Sequence, residues 1–325
     1  MKEKILKCLR EAEDYVSGQE LCQMFDVSRT AIWKVMNQLK EEGYVIDAVK
    51  NKGYRLVQTP DLVTAEEVES LLETSWAARP IVYEEEQAST NQTAKMLAEQ
   101  GASHGTLVVA ERQVSGRGRR GRPWHSPKGS GIWMSILLRP QIHPMSASML
   151  TLVAAMAVYD AISSRVEGCA IKWPNDIVID GRKVCGILTE MSSELDNIHY
   201  VVIGIGINVN TDDFPEDIAS VAASMHVITG AYYKRAEIIA DTWKAFEKYY
   251  DLFVQTENLA LMVDAYNQRP VNMDRRVMIE ERSHRYEGTA RGIDAEGALL
   301  VERDDGTTTS VISGEVSVRG VLGYV

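Results

Sequence analysis

Three observations predict a multidomain α+β chain. About the first 58 residues carry helical stripes followed by two short strands; a long middle, roughly 80–268, alternates strands with helices; after Pro270 only short β-like runs remain. The length of 325 residues agrees, since it makes two to three domains at about 150 residues each. Hydrophobic residues are 45% and charged residues 25%, which excludes a collagenous or disordered chain. No apolar run approaches the roughly 18 residues that span a bilayer, and the run over Met149–Tyr159 reads as a packed helix with one apolar face. Met1–Asp14 mixes Lys with Glu and Asp and lacks the apolar stretch of a secretory signal, so a cytoplasmic location is expected.

In the first segment Ile5, Cys8, Leu9 and Ala12 fall at helical spacing. Ser17 and Glu20 form a capping box that opens a second helix carrying Leu21, Cys22 and Phe25. Ser28 caps a third, with Ile32, Val35, Met36 and Leu39 on one stripe and Gly43 at its end. Strands at Tyr44–Val49 and Tyr54–Val57 join through Lys50–Asn51–Lys52–Gly53. Helix-turn-helix plus a small basic hairpin is a winged helix, and Pro60 marks the linker behind it.

The middle offers strands at Ile81–Glu84, Thr106–Gln113, Ile132–Leu138, Ala170–Trp173, Ile177–Ile179, Lys183–Met191 and Tyr200–Val209. Helices are expected over Asn91–Glu99, Ser146–Val166 and Ala236–Gln255, with a short one at Thr64–Leu72. Strands outnumber helices and join by tight turns such as Asp180–Gly181, so the sheet should be mixed or antiparallel. The runs after Pro270 make a small all-β barrel of about 55 residues.

Net charge is −11, from 35 Lys+Arg and 46 Asp+Glu, which argues against a protein that coats nucleic acid. Residues 1–58 hold 10 basic and 9 acidic side chains, 10 − 9 = +1, so the acidity lies elsewhere. Cys8, Cys22, Cys169 and Cys185 form no C-x-x-C pair and the six histidines no H-E-x-x-H, which disfavours zinc or a disulfide framework.

The stretch 115–124, Ser-Gly-Arg-Gly-Arg-Arg-Gly-Arg-Pro-Trp, interleaves four arginines with three glycines. Guanidinium forks match phosphate and carboxylate oxygens, so an anion site is expected rather than a merely solvated loop. Its G-x-G-x-x-G spelling is not a dinucleotide fingerprint, because Pro123 and Pro127 forbid the helix that motif requires. Ser89-Thr90-Asn91 opens a helix and serves as a cap or as ligand contacts. Asp176 in Lys-Trp-Pro-Asn-Asp, 172–176, serves equally as a turn residue or a carboxylate for Mg²⁺. Simple alternation puts Lys183 on one face with Cys185 and Ile187, and Gly186 opposite. A lysine among buried neighbours needs an anion or a cavity, unless it is a strand-end surface residue. Gly204, Gly206 and Asn208 share a face, where missing side chains admit a ligand or another backbone.

Together, G-R-G-R-R-G-R-P-W at 116–124, S-T-N at 89–91, K-W-P-N-D at 172–176, G-R-K-V-C-G-I-L-T-E at 181–190 and G-I-G-I-N-V-N at 204–210 resemble the biotin protein ligases. With its winged helix the chain is similar to their bifunctional bacterial form, a ligase that is also the biotin operon repressor. That resemblance implies a winged helix-turn-helix over 1–60, an α+β ligase domain over 61–270 and an SH3-like β-barrel over 271–325. It implies formation of biotinyl-5′-AMP from biotin and ATP with Mg²⁺, then transfer to a lysine of the biotin carboxyl carrier protein. Ser89, Thr90, Asn91, Gln113, Arg117, Gly118, Arg119 and Lys183 would bind biotin. Arg119, Arg120, Trp124, Asn175, Asp176, Asn208 and Arg319 would meet ATP or the adenylate. Lys183, Arg117 and Arg119 would be catalytic, and Asp176 would serve the metal.

A repressor role adds operator DNA and a ligand-promoted homodimer as partners. Thr30, Lys34 and Asn37 lie opposite the apolar stripe of the third helix, with Arg29 at its leading end, and would read DNA with Trp33, which flanks them and could be core; Lys50 and Lys52 would touch the DNA backbone. Alternatives stay open: a biotin-sensing transcription factor without ligase activity, or a ligase whose winged helix does not regulate.

Overall fold

The computed structural model describes residues 1–281, 284–312, 316–320 and 324–325; of 281, 284 and 316–320 only the backbone is described. Helices α1 (Lys2–Glu11), α2 (Gly18–Phe25) and α3 (Arg29–Glu41) pack around Ile5, Leu6, Leu21, Ile32 and Leu39. The capping box is complete, with Ser17 accepting from the Glu20 amide and Glu20 from the Ser17 amide, and Ser28 caps α3. Strands β1 (Val45–Val49) and β2 (Gly53–Gln58) pair antiparallel around a tip where Asn51 and Gly53 take positive φ.

The linker is held by charge at both ends. Short α4 (Ala65–Glu69) carries Glu67, 3% exposed, which accepts from Arg10 and from Tyr44 of the winged helix. Ahead of it, Asp61 accepts from the backbone N–H of Arg235 at 2.9 Å and from its Nε at 2.9 Å. The same guanidinium reaches Glu111 at 2.8 Å.

The central sheet has seven strands: β3 (Ile81–Gln87), β4 (Leu107–Gln113), β5 (Gly131–Leu138), β6 (Cys169–Lys172), β7 (Asp176–Ile179), β8 (Arg182–Glu194) and β9 (Asn197–Asn208). Their order is β3-β4-β5-β9-β8-β7-β6. Only β3 and β4 run parallel, so the sheet is mixed. One face is covered by α6 (Leu150–Ser163) and α8 (Arg235–Thr256). Instead of one apolar face, α6 is buried almost all round, because it lies between the sheet and α8. With the 3₁₀ turn before it, Pro144–Ser163 is long and apolar enough to cross a membrane, but it is a core helix here. Short helices α7 (Met225–Thr229) and α9 (Val263–Asn267) were not expected from periodicity.

Among the described residues the opposite face carries one helix, α5 (Thr90–Glu99), packed over Val108, Leu137 and Val202. Beside its first turn the sheet is uncovered. After Pro270 come β10 (Arg276–Glu281), β11 (His284–Ile293), β12 (Leu299–Glu302), β13 (Thr308–Val311) and β14 (Val316–Gly320), an antiparallel sheet of order β13-β12-β11-β10-β14. Its Val277, Ile279 and Leu299 join the same core as α6.

Candidate active site

The uncovered part of the sheet is the floor of a cavity of about 430 Å³. Three glycines make the floor. A Cβ on Gly204 would lie 2.1 Å from Asn91 Oδ1, one on Gly206 2.4 Å from Trp124 Nε1, and one on Gly186 2.9 Å from the Trp124 ring. Only glycine lets α5 and the tryptophan approach the strands this closely.

Ser89 sits at the N-cap of α5 but makes no side-chain capping bond; it lines the cavity with Thr90 and Asn91. Gln113, at the end of β4, accepts from the Thr90 amide at 2.9 Å and donates to Ser126 Oγ at 3.0 Å. The arginine–glycine loop folds over this end as a narrow hairpin. Gly118 N–H donates to Arg122 O at 2.8 Å and Trp124 N–H to Gly116 O at 2.9 Å. A 3₁₀ turn spans Arg119–Gly121, with Arg120 at φ 58°, and no α-helix follows. Arg117, Gly118, Arg119 and Arg120 all face the cavity. Arg119 donates to Asn175 Oδ1 at 2.8 Å. Burial pulls its guanidinium below the ordinary arginine value, Asp176 works against this, and Arg120 adds to the lowering.

Lys183 reaches the cavity by a route that simple alternation misses. The β7–β8 register shifts between Ile177 and Val178, which pair with Cys185 and Lys183 and leave Val184 as an extra residue. This bulge turns Lys183 away from buried Cys185 and onto the face of Gly186, whose added Cβ would meet Lys183 Cε at 3.2 Å. The expected partition of that strand is therefore reversed at Lys183. Its Nζ lies 2.6 Å from Asp176 Oδ1 and 5.2 Å from the centre of the Trp124 ring. Val221 O and the Ala223 N–H bracket its backbone.

Asp176 is the carboxylate of this cavity's lining, and both of its oxygens are engaged. Oδ1 takes Lys183 and, at 3.0 Å, Asn175 Nδ2, while Oδ2 accepts from Tyr324. Among the described residues no three His, Cys, Asp or Glu side chains gather. The side chains alone therefore build no cage for an ion, and Asp176 would hold Mg²⁺ only together with nucleotide phosphate oxygens. Asn208 lines the far wall and donates to Ala223 O at 3.2 Å. Arg319 lies on β14, paired with Met278, but its side chain is outside the described residues.

Sequence reasoning missed four contributors. Ser135 is fully buried under Thr90 and Asn91; a serine in an apolar strand was the available signal. Glu190 holds Asn91 from β8. Lys172, 7% exposed, has its ammonium 3.9 Å from the centre of the Tyr324 ring, and Tyr324 closes that end of the cavity. Trp124, already named by the resemblance, has Nε1 buried against Gly206 with no hydrogen-bond partner.

On the winged helix, Arg29, Thr30, Trp33 and Lys34 are exposed along α3, and Asn37 is half-buried. Trp33, 57% exposed, stays out of the core. Lys50 and Lys52 are exposed at the hairpin tip, where Lys52 Nζ lies 5.6 Å from the Tyr15 ring centre.

Comparison with known proteins finds three matching stretches. An HTH domain matches residues 2–55, the biotin/lipoate A/B protein ligase family residues 83–208, and the biotin protein ligase C terminal domain residues 274–319. The bifunctional ligase/repressor BirA of Bacillus subtilis is 39% identical over 90% of this chain and 91% of its own length. The chain belongs to the biotin protein ligase family. The Escherichia coli bifunctional ligase/repressor BirA is 30% identical over 97% of this chain and 96% of its own length. The solved biotin protein ligase of Aquifex aeolicus in complex with biotin and ATP is 30% identical, with TM-score 0.65, covering 74% of this chain and 98% of that one. The helices and hairpin ahead of the ligase unit thus match the bifunctional relatives.

Proposed function

We infer that this chain joins biotin to ATP as biotinyl-5′-AMP, passes biotin to a lysine of the biotin carboxyl carrier protein, and represses transcription in response to biotin. The observation that carries the reading is the placement of Lys183, Arg117 and Arg119 around one cavity with the polar end at Ser89–Asn91 and Gln113. Thr90, Asn91 and Gln113 would hold the ring system of biotin, and Lys183 its carboxylate. Arg119, Arg120, Trp124, Asn175, Asp176 and Asn208 would surround the nucleotide, with Arg319 reaching in from the last unit.

In the first step the biotin carboxylate attacks the α-phosphorus and pyrophosphate leaves. Negative charge shifts among phosphate oxygens, so fixed cations lower the barrier without a covalent enzyme intermediate. Lys183 is poised for this because it lines the cavity and Asp176 holds its ammonium from one side. The arginine–glycine hairpin would keep water from the mixed anhydride until the carrier lysine arrives. Mg²⁺ belongs to the substrate as its ATP complex.

The units would divide the work as 1–60 for DNA, 61–270 for catalysis and 271–325 for closing the nucleotide end. Beyond Gly186, β8 runs on without β7 beside it, and that edge suits pairing with a second copy. A dimer would present two α3 helices to two half-sites. Because ATP and operator DNA meet there, the cytoplasm is the expected location.

Biotin-dependent exchange of labelled pyrophosphate into ATP tests the enzyme. No exchange in a folded chain that binds biotin would favour the sensor alternative. For the repressor, Arg29→Ala with Lys34→Ala should abolish an operator shift in a gel while leaving exchange intact; an unchanged shift would remove the DNA assignment.

A further inference from the structure

The chain passes from the winged helix to the ligase unit between neighbouring residues. Leu62 packs against the winged-helix core, and Val63 is fully buried in the core that α6 shares. Two clamps hold this crossing from opposite sides. On the ligase side, Asp61 accepts from the backbone N–H and Nε of Arg235, each at 2.9 Å, and Lys234 Nζ donates to Thr59 O. On the other side, Val68 of α4 is buried in the ligase core while its neighbour Glu67 meets the winged helix. Glu67 accepts from Arg10 of α1 and from the Tyr44 hydroxyl, and Arg10 Nε donates to Ser70 Oγ at 3.1 Å. The side chains of Arg10 and Glu67 are 17% and 4% exposed. Lys2 also pairs with Glu66 at 3.1 Å, but Glu66 is 39% exposed, and an ion pair open to water fixes little.

A buried pair fixes more. The cost of burying two charges offsets most of their attraction, so the pair adds little stability over well-packed apolar side chains. Wrong arrangements, however, leave a carboxylate buried away from its cation, which is strongly unfavourable. Apolar contacts such as those of Leu62 are non-directional and hold the two units together without choosing among nearby orientations. Glu67, with a cation and a hydroxyl on it, does choose.

Orientation matters because each α3 of a dimer has to meet its own half-site. Every base pair inserted between half-sites moves the second by about 3.4 Å and turns it by about 35°. Winged helices fixed on their ligase units fit one separation, and loosely held ones fit several.

We propose that Glu67 is the positioning residue of the DNA-binding unit: with Arg10 and Tyr44 it fixes the direction of α3 relative to the ligase sheet, and so sets the half-site spacing that the dimer accepts. The inference rests on the repressor reading, and it adds a specificity determinant that lies outside both α3 and the cavity.

The test is selection of duplexes from a randomised pool by the full chain with biotin and ATP. Gel shifts then follow on the selected duplex, with and without two base pairs inserted between its half-sites. The parent should select a single spacing and lose about a hundredfold in affinity on insertion, as when geometry forbids the second contact. Replacing the cluster by apolar side chains of similar volume, Arg10→Met with Tyr44→Phe and Glu67→Met, should keep the chain folded. That triple variant should select several spacings, lose less than about tenfold on insertion, and leave pyrophosphate exchange unchanged. A triple variant that keeps the parent's single spacing overturns the proposal, whether its affinity is unchanged or lower, because a merely structural cluster weakens every spacing alike. If the triple variant does not fold, Glu67→Gln decides. It removes the charge, keeps the shape and should show a smaller insertion penalty than the parent; an unchanged penalty refutes the idea. A parent that selects no duplex would instead refute the repressor reading.

Discussion

Two charge clusters on opposite faces of the central sheet make an instructive pair. On the α8 face, Arg235 has a side chain only 2% exposed between Asp61 and Glu111. Its five N–H donors are all placed: Nε on Asp61 Oδ2, Nη1 on Glu111 Oε2 and Gly131 O, Nη2 on Asp61 O and Glu111 Oε1. Burial lowers its proton affinity, but the two carboxylates outweigh that and hold it above the ordinary arginine value. On the α5 face, Lys183 and Asp176 are also mostly enclosed, with side chains 23% and 12% exposed. There the ammonium has one carboxylate and an aromatic ring beside it, and the side chain lines the cavity. Burial of charge does not separate the two clusters. Saturation does: the first has nothing left to offer a ligand, and the second does.

The largest effect expected from breaking this contrast is on Arg235. Arg235→Ala strands Glu111 and Asp61, and should cost about 3–5 kcal/mol of stability, as for a buried pair deprived of one partner. Chemical denaturation checks it, with pyrophosphate exchange per folded molecule unchanged. Next, Gly206→Ala puts a methyl where Trp124 Nε1 lies 2.4 Å from the added Cβ. That overpacking should appear as about tenfold weaker biotin in calorimetry, within the usual 1–3 kcal/mol range, while the melting temperature barely moves. Tyr324→Phe keeps the ring over Lys172 and removes the hydrogen bond to Asp176. A two- to tenfold slower exchange, about one net hydrogen bond, should follow without loss of stability.

The smallest effect is a pH dependence away from both clusters. Glu247 on α8 is opposed by burial but accepts from the amides of Ser75, Trp76 and Ala77, which together hold it below the ordinary value of 4.5. A depressed folded value means stabilisation that is present above the unfolded value and lost as pH falls through the folded one. The stability gap between the parent and Glu247→Gln should therefore be open at neutral pH and close as the solution becomes more acidic than that range. A gap independent of pH would show that the charge contributes nothing.

Much of this was legible in the sequence, and the reasons differ from element to element. The winged helix was readable because its signals are local: a capping box at Ser17 and Glu20, a cap at Ser28 and one apolar stripe on α3. The cavity was readable from glycines and arginines that make little sense in a strand or a solvated loop. Lys183 was picked for a sound reason, the cost of a lysine among apolar neighbours, on a wrong geometry. A bulge at Val184 changes the facing of every residue before it, and alternation carries no mark of it. Glu190 and Tyr324 escaped because their partners, Asn91 and Asp176, lie far away in the chain. The surroundings of Asp176 were hidden for a similar reason: residue type suggested a metal ligand, and only folding shows that Lys183, Asn175 and Tyr324 contact it. Nor did the linker reveal that Asp61 is held by a helix that begins at Arg235.

The most direct test measures biotin-dependent pyrophosphate exchange and thermal melting side by side in Lys183→Ala and Arg235→Ala. The account predicts that Lys183→Ala loses about 10²–10³ in exchange rate, as when a transition-state donor is removed, and melts like the parent. Arg235→Ala should melt early yet exchange normally below its melting temperature. Loss of exchange in Arg235→Ala while it remains folded, or full exchange in Lys183→Ala, would contradict the division between a saturated and an available cation.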